Sequence, residues 1–192
     1  PKTGLAFLYL DSEHGKKYLK EMQYCIEFAM CNRFLMMERI TEIFGSFYGG
    51  RFSYGSIINI AHNYAAVETH FGDELVIHRK GATKASKGLT GIIPGSQGTR
   101  SYIVEGKGNP DSFESCSHGA GRVMGRNQAI RSLNLEEEIR RLDRLNILHS
   151  IRGRNDLEEA PSAYKNINRV MELQADLVEV DTGLSPLAVI KG

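Results

Sequence analysis

The feature that most constrains the fold is a helical pattern of apolar residues over residues 13–44. Apolar side chains recur there at steps of three and four residues, which is the spacing of one helix face. Asp11 and Ser12 are candidate N-caps, and glycines 45, 49 and 50 end the segment. Gly15, or the polar stretch near Asn32, could divide the pattern. The sequence therefore predicts one long helix or two shorter ones.

Strand patterns dominate the next part of the chain. Residues 56–70 and 75–80 predict the two arms of a hairpin, with a turn signal at residues 71–74. Residues 81–100 are rich in glycine, threonine and serine and predict a loop, whereas residues 101–106 predict a strand. A helix is predicted after Asn134, which forms a capping-box pattern with Glu137, and another over residues 163–177. Residues 187–192 predict a strand or a tail. This mixture, without a βαβ period, predicts one α+β unit.

Composition limits the classes of function. The chain has 192 residues, of which 41% are hydrophobic and 24% charged, and its net charge is +1. RNA binding would therefore need a local basic cluster rather than the overall field. Cys25, Cys31 and Cys116 form no CxxC pair, which favours reduced thiols in a cytoplasmic protein. No run of about 18 apolar residues occurs, so we expect no membrane span.

Three polar, glycine-rich segments lie between apolar stretches: residues 61–64, 93–99 and 115–122. The second, PGSQGT, has the ingredients of a phosphate loop, because glycine N–H groups can converge on an anion beside the hydroxyls of Ser96 and Thr99. Such loops are more often simple turns. Basic residues also cluster locally, and they suit either a phosphate backbone or a solvated face: Arg79, Lys80, Lys84 and Lys87, then Arg122, Arg126 and Arg131.

Two histidines are candidates for chemistry. His118 stands among small residues in SHGAGR, so a bulky ligand can approach its ring, and a neutral imidazole nitrogen can attack a phosphate. Arg122, four residues on, suits phosphate charge. His62 follows the apolar residues 57–61, and the end of a strand can fix a metal ligand. His78 has the same ambiguity. Taken alone, each histidine is more often structural.

Several segments together, in this order, resemble one family: HNYA, HRKGAT, PGSQGT, SYIV, GNPDSFESCSHGAGR, EEAPSAYKN and VIKG. They are similar to the C-terminal half of RtcB RNA-splicing ligases, and the resemblance covers residues 1–192. It implies an RtcB-like α+β fold that forms an incomplete part of the full catalytic domain.

The resemblance also implies an activity. Members use GTP and manganese to join an RNA 3′-phosphate or 2′,3′-cyclic phosphate to a 5′-hydroxyl, in tRNA splicing and RNA repair. His118 matches the guanylylated histidine, His62 a metal ligand, and Arg122 and Arg126 arginines near the reacting phosphates. The remaining matches are at the nucleotide: Asn63, Pro94, Gly95, Ser96, Gln97, Ser101, Gly119, Ala120, Gly121, Tyr164 and Lys191. The implied partners are RNA, an archease-type activator and the N-terminal half of the ligase.

The chain departs from the family pattern in three respects. The other metal ligands of the family belong to its N-terminal half, Gln97 replaces a methionine, and Gly125 replaces a serine. Three interpretations remain open. The chain is part of a ligase, a nucleotidyl or phosphohydrolase side branch that seals nothing, or a module that binds nucleotide or RNA without catalysis. For the isolated 192 residues we expect little or no ligation.

Overall fold

The computed structural model describes residues 6–49, 55 and 57–190. Contacts along the chain group it into two compact units, residues 1–80 and residues 81–192. Helices and strands are mixed in the chain, and most strand pairs are antiparallel, which confirms the predicted α+β class. The sequence predicted one unit and gave no sign of a boundary at residue 80.

The first unit begins with a single long helix, α1 (Glu13–Tyr48). Ser12 is its N-cap, as predicted, because its hydroxyl accepts a hydrogen bond from the N–H of Gly15 at 3.0 Å. The helix ends at Gly49, which adopts the left-handed conformation with φ of 57°. Neither Gly15 nor the stretch near Asn32 divides it, so the alternative of two shorter helices is wrong.

The apolar side chains of α1 are largely exposed. Gly15 is the helix residue that is buried, whereas large side chains along its length remain accessible, including Tyr24, Phe28, Leu35, Met36, Ile43 and Phe47. A helix of this length spans about 54 Å, and the other regular element of this unit in the described residues is a two-stranded hairpin. The hairpin is too small to cover such a helix. No helix in the described part of the chain is long and apolar enough to cross a bilayer.

The hairpin consists of β1 (Asn63–His70) and β2 (Asp73–Lys80), paired antiparallel. Phe71 and Gly72 form its turn, both with positive φ (56° and 91°), as the primed hairpin turns require. The predicted first arm was too long, because residues 57–61 form no strand. Lys80, the last residue of β2, pairs with Asn63, so among the described residues no strand lies opposite residues 57–61. His62 therefore precedes a strand rather than ending one.

A buried ion cluster lies on this hairpin. The Arg79 side chain is almost fully buried and donates two hydrogen bonds to the Glu68 carboxylate, at 2.6 and 2.9 Å. It donates a third to the Tyr64 hydroxyl at 3.0 Å. His70 Nε2 lies 3.0 Å from Glu68 Oε2. Burial alone would lower the pKa of Arg79, but its hydrogen bonds to Glu68 and the neighbouring charges raise it. Arg79 thus belongs to the interior of its unit, not to a phosphate-binding surface.

The second unit is built on a three-stranded antiparallel sheet. Its strands are β4 (Thr90–Ile93), β5 (Ser101–Gly106) and β8 (Val178–Leu184), with β5 in the centre. β3 (Ala82–Lys84) pairs with β6 (Ser115–Ser117), and β7 (Leu148–His149) pairs in parallel with β9 (Ala188–Val189). The helices are α2 (Arg126–Ser132), α3 (Leu135–Arg144) and α4 (Ile167–Glu172). One buried cluster joins sheet and helix: Ala85, Ile93, Val104, Cys116, Ala120, Ile167, Met171 and Val178.

Several predicted elements of this unit are altered by pairing between strands. The strand at residues 101–106 and the Asn134 N-cap are confirmed, but the predicted loop over residues 81–100 contains β3 and β4. The helix predicted over residues 163–177 is confined to α4, which Asn166 caps. Val178, the residue after the predicted end of that helix, pairs with Gly106 and begins β8. Short 3-10 helices occupy Pro110–Ser112, Arg154–Glu159 and Pro161–Ala163.

The hairpin cluster yields a stability prediction. Glu68→Ala should lower the free energy of unfolding by about 3–5 kcal/mol, because it leaves the Arg79 guanidinium buried without its carboxylate. Glu74→Ala, at an exposed position of the same hairpin, is the matched control and should change it by less than about 0.5 kcal/mol. The chain has no tryptophan, so urea unfolding followed by tyrosine fluorescence is a suitable measurement. Equal losses in the two variants would contradict the prediction.

Candidate nucleotide site around His118

Strand pairing fixes the position of His118. It directly follows β6, whose Ser117 pairs with Ala82, and its backbone N–H points to the carbonyl of Gly81 at 3.4 Å. A Cβ built on Gly81 would lie 3.5 Å from His118 Nδ1, so this glycine lies against the Nδ1 edge of the ring. The imidazole is therefore held between the end of one strand and the start of another. The sequence did not single out Gly81.

The loop after His118 packs against the PGSQGT loop. The N–H of Ala120 donates to the Pro94 carbonyl at 3.2 Å. A Cβ on Gly119 would lie 3.1 Å from the same carbonyl oxygen, so the backbones approach closely there. This contact brings together two of the three glycine-rich segments that the sequence indicated.

The PGSQGT loop is held by its own hydrogen bonds. The N–H of Ser96 donates to Thr99 Oγ1 at 2.7 Å, and the two hydroxyls lie 3.0 Å apart. The N–H of Gly95 donates to Ser101 Oγ at 3.2 Å. The N–H groups of Gly95 and Ser96 are thus used within the loop, and a role of this loop in binding an anion stays a prediction. Gln97 Oε1 is buried without a hydrogen-bond partner among the described residues.

The loop after His118 also pairs with the segment of residues 163–165. The N–H of Val123 donates to the Ala163 carbonyl, and that of Lys165 donates to the Gly121 carbonyl, both at 2.9 Å. These bonds flank an isolated bridge between Arg122 and Tyr164. Gly121 has φ of 70°, which an L side chain rarely adopts. The backbone therefore sets Arg122 and Tyr164 side by side.

Arg122 is engaged on several sides. Its Nε donates to the Met124 carbonyl and one terminal nitrogen to the Tyr164 hydroxyl, each at 3.0 Å. The other terminal nitrogen donates to the Glu158 carbonyl. Its guanidinium carbon also lies 4.9 Å from the centre of the Tyr164 ring, within cation–π range.

The Glu159 carboxylate connects these groups. One oxygen accepts a hydrogen bond from the Tyr164 hydroxyl and lies 3.3 Å from Arg122, and the other accepts from Arg126 Nε at 3.1 Å. Burial alone would raise the pKa of Glu159, but the hydrogen bonds from Tyr164 and Arg126 and the arginine charges hold it below its usual value. Burial, then the hydrogen bond to Glu159, raises the pKa of Tyr164. Sequence reasoning gave Glu159 no role, although it lies in the EEAPSAYKN segment.

A cavity of about 320 Å³ opens between these segments. It is within the size range of small-molecule sites. Nine residues line it, and all were predicted at the site: Pro94, Gly95, His118, Gly119, Ala120, Gly121, Arg122, Arg126 and Tyr164. Ser96, Gln97 and Ser101 were also predicted at the site but do not line the cavity. His62 and Asn63 belong to the unit of residues 1–80, and Lys191 lies outside the described residues.

The described residues do not assemble a manganese site by themselves. Within them, no group of three or more histidine, cysteine, aspartate or glutamate side chains could hold a metal ion. His62 offers one imidazole, whereas a transition metal in a protein takes several ligands. Its role as a ligand stays a prediction.

The family model described as "tRNA-splicing ligase RtcB" matches residues 1–192. The chain belongs to this family. The RtcB resemblance drawn from the sequence motifs is thereby confirmed, and residues from three of those motifs, PGSQGT, SHGAGR and EEAPSAYKN, line the cavity.

Individual RtcB proteins match along the whole chain. The RNA-splicing ligase RtcB of Escherichia coli is 40% identical over 200 residues, covering 100% of this chain and 48% of the relative. That of Mycobacterium tuberculosis is 34% identical, covering 100% and 49%. The tRNA-splicing ligase RtcB of Pyrococcus horikoshii is 32% identical, covering 100% and 25%. This chain spans about half the length of the bacterial relatives.

The pKa of Glu159 yields a pH prediction. Because its pKa is lower in the folded state, its contribution to stability is present above the unfolded value of about 4.3 and is lost as the pH falls through the folded value. Glu159→Gln should therefore destabilise the protein by about 1–3 kcal/mol at pH 7, with a smaller difference from wild type below about pH 4.

The measurement is thermal unfolding from pH 3 to pH 8. Glu74→Gln, at an exposed carboxylate on β2 that lies opposite Thr69, is the matched control and should show neither effect. A Glu159→Gln difference that stays constant down to pH 3 would show that the Glu159 charge is not what stabilises the cluster.

Proposed function

We propose that this chain carries the guanylylated histidine of a GTP-dependent RNA ligase. The observation that supports the proposal is the His118 cavity, whose wall combines a glycine-rich backbone, two arginines and Tyr164. Glycines let phosphate oxygens approach the backbone, and guanidinium groups complement their charge. The family membership of the chain supplies the reaction class.

In the first step His118 acts as the nucleophile. A neutral ring nitrogen attacks the α-phosphorus of GTP, a P–N bond forms, and the bond to the leaving pyrophosphate breaks. The small residues at 119–121 leave room for the ring to be approached in line. Arg126, whose side chain is largely exposed, is placed to meet the charge of the phosphates, while Arg122 holds the loop and Tyr164.

The later steps seal the RNA. A terminal 3′-phosphate oxygen attacks the guanylyl phosphorus on His118, and the P–N bond breaks. The resulting anhydride is then attacked at the 3′-phosphate by a 5′-hydroxyl, which forms the phosphodiester and releases GMP. A 2′,3′-cyclic phosphate must first be opened by water to give the 3′-phosphate. In this proposal Pro94, Gly95 and Tyr164 border the guanosine.

The other half of the ligase completes the enzyme in this proposal. Since the described residues hold no group of metal ligands, His62 would contribute one imidazole to a manganese site whose other ligands come from that half. Asn63, next to His62, and Lys191 are proposed nucleotide contacts, with an archease-type protein as a further partner. We assign no step to a metal.

One observation favours a second candidate function. The described residues form the His118 cavity but hold no group of three or more metal-ligating side chains. A module of this kind could bind nucleotide, or accept GMP on His118, without joining RNA. Label on His118 without joined RNA, even with the other half supplied, would identify it.

A labelling experiment tests the nucleophile. With manganese and α-labelled GTP, the chain combined with the half of a relative that it does not match should acquire an acid-labile, alkali-stable label. His118→Ala should abolish that label, because the attacking nitrogen is gone. His14→Ala, at an exposed histidine in the first turn of α1, should retain it. Labelling that persists in His118→Ala would refute the assignment.

The same reaction tests the need for two halves. The chain alone should join no RNA with 3′-phosphate and 5′-hydroxyl ends, because His62 cannot hold metal without other ligands. Joining by the chain alone would contradict this expectation.

A further inference from the structure

A second groove adjoins the His118 cavity in the unit of residues 81–192. Its volume is about 560 Å³, and it runs between the end of β6, the segment after Gly121 and α4. Apolar side chains form much of its surface: Val123, Val170, Leu173 and Leu177. Val123 and Leu173 are exposed, at 58% and 67%, so this surface is open to solvent.

The groove and the His118 cavity share a wall. Ser117 lines the groove, and the next residue, His118, lines the cavity. Lys165 also lines the groove, and its Nζ lies 4.0 Å from the position of a Cβ on Gly121, which lines the cavity. A chain seated in the groove could therefore present its end to His118.

The charges in the groove favour an anionic ligand. None of its lining residues is acidic, and Lys165 and Arg169 are both basic. Arg169 pairs with Glu172 at 3.0 Å, whereas no ion pair or hydrogen bond of the Lys165 ammonium occurs among the described residues. In the adjoining cavity, Arg122 and Arg126 are both paired with Glu159. In the part of the chain that the structure describes, Lys165 is thus the cation at this junction that forms no ion pair with a carboxylate.

The wall between the two sites also contains an unsatisfied polar atom. Ser117 Oγ is buried and has no hydrogen-bond partner among the described residues, although the Ser117 N–H donates to Gln174 Oε1 at 3.0 Å. Buried polar groups are normally paired. A hydroxyl left unpaired next to the reactive histidine is a group that a ligand can satisfy.

We propose that this groove binds the terminal nucleoside of the RNA strand that ends in a 3′-phosphate. The Lys165 ammonium contacts the terminal phosphate at the junction, and the ribose and base pack on the apolar surface formed by Val123, Val170 and Leu173. This inference rests on the proposed function, because it orients the phosphate toward guanylylated His118. A nucleoside phosphate fits both properties of the groove, namely an apolar surface and one unneutralised cation at the end nearest His118.

The first test compares two RNA ends in the protein combined with the other half of the ligase. Affinity for a short fluorescent oligoribonucleotide is measured with a 3′-phosphate and with a 3′-hydroxyl, in the absence of GTP. The wild type should prefer the 3′-phosphate. Lys165→Ala should lose about tenfold in affinity for that end and lose the preference. Lys87→Ala removes the same charge from an exposed position outside both cavities and should keep the preference.

The second test introduces a negative charge on the apolar surface. Leu173→Glu should weaken binding of both oligoribonucleotides at least fivefold, because an anion would face the RNA backbone. Leu145→Glu, at another exposed leucine (52% accessible) at the end of α3, is the matched control. Both leucines are exposed, so neither change should prevent folding, which circular dichroism verifies.

Three results would overturn the inference. The first is an unchanged preference for the 3′-phosphate end in Lys165→Ala, and the second is equal RNA affinity in Leu173→Glu and Leu145→Glu. The third is that Leu173→Glu weakens association with the other half of the ligase and leaves RNA binding unchanged. This third result would show that the other half of the ligase covers the groove. Because binding is measured without GTP, failure here is distinguishable from failure of His118 labelling, which alone tests the proposed function.

Discussion

The Glu159 carboxylate is the contact on which the rest of the candidate site depends. It accepts the Tyr164 hydroxyl and pairs with Arg122 and Arg126, so two segments separated by more than 30 residues are held by one group. A carboxylate between two guanidinium groups stabilises both charges and lowers its own pKa. Without it, the two guanidinium groups and the phenol would lose the carboxylate that all three contact.

The cations around His118 differ in how far carboxylates and other acceptors occupy them. Arg122 donates hydrogen bonds to two backbone carbonyls and a hydroxyl, and it forms an ion pair with Glu159. These contacts suit a residue that stabilises the loop after His118. Arg126 is more exposed and donates to Glu159 through Nε, which suits its proposed role of meeting phosphate charge. Lys165, at the junction with the groove, has no carboxylate neighbour within the described residues. Three basic residues that look equivalent in the sequence therefore have different surroundings, and only these surroundings distinguish their proposed functions.

The fold of the first unit shows how far a local pattern can be interpreted. The helix over residues 13–44 and the hairpin turn were predicted, because apolar spacing and turn residues act over a few positions. The prediction of a strand at residues 57–61 is wrong, because a strand also needs a partner and β2 ends opposite Asn63. In the same way, Arg79 looked like part of a basic surface, but its partner Glu68 lies across the hairpin ladder, and the pair is buried.

The sequence by itself determined the family, the α+β class and the set of small residues around His118, because these properties follow from the order and local spacing of residues. The tertiary structure decided which of them meet. Nine of the predicted residues line one cavity, while Ser96 and Ser101 turn their groups inward to hold a loop. Contacts between segments that are distant in the sequence bring Glu159, Gly81 and Lys165 to the site. Such contacts depend on strand register and loop packing, which act over long separations that no local pattern encodes.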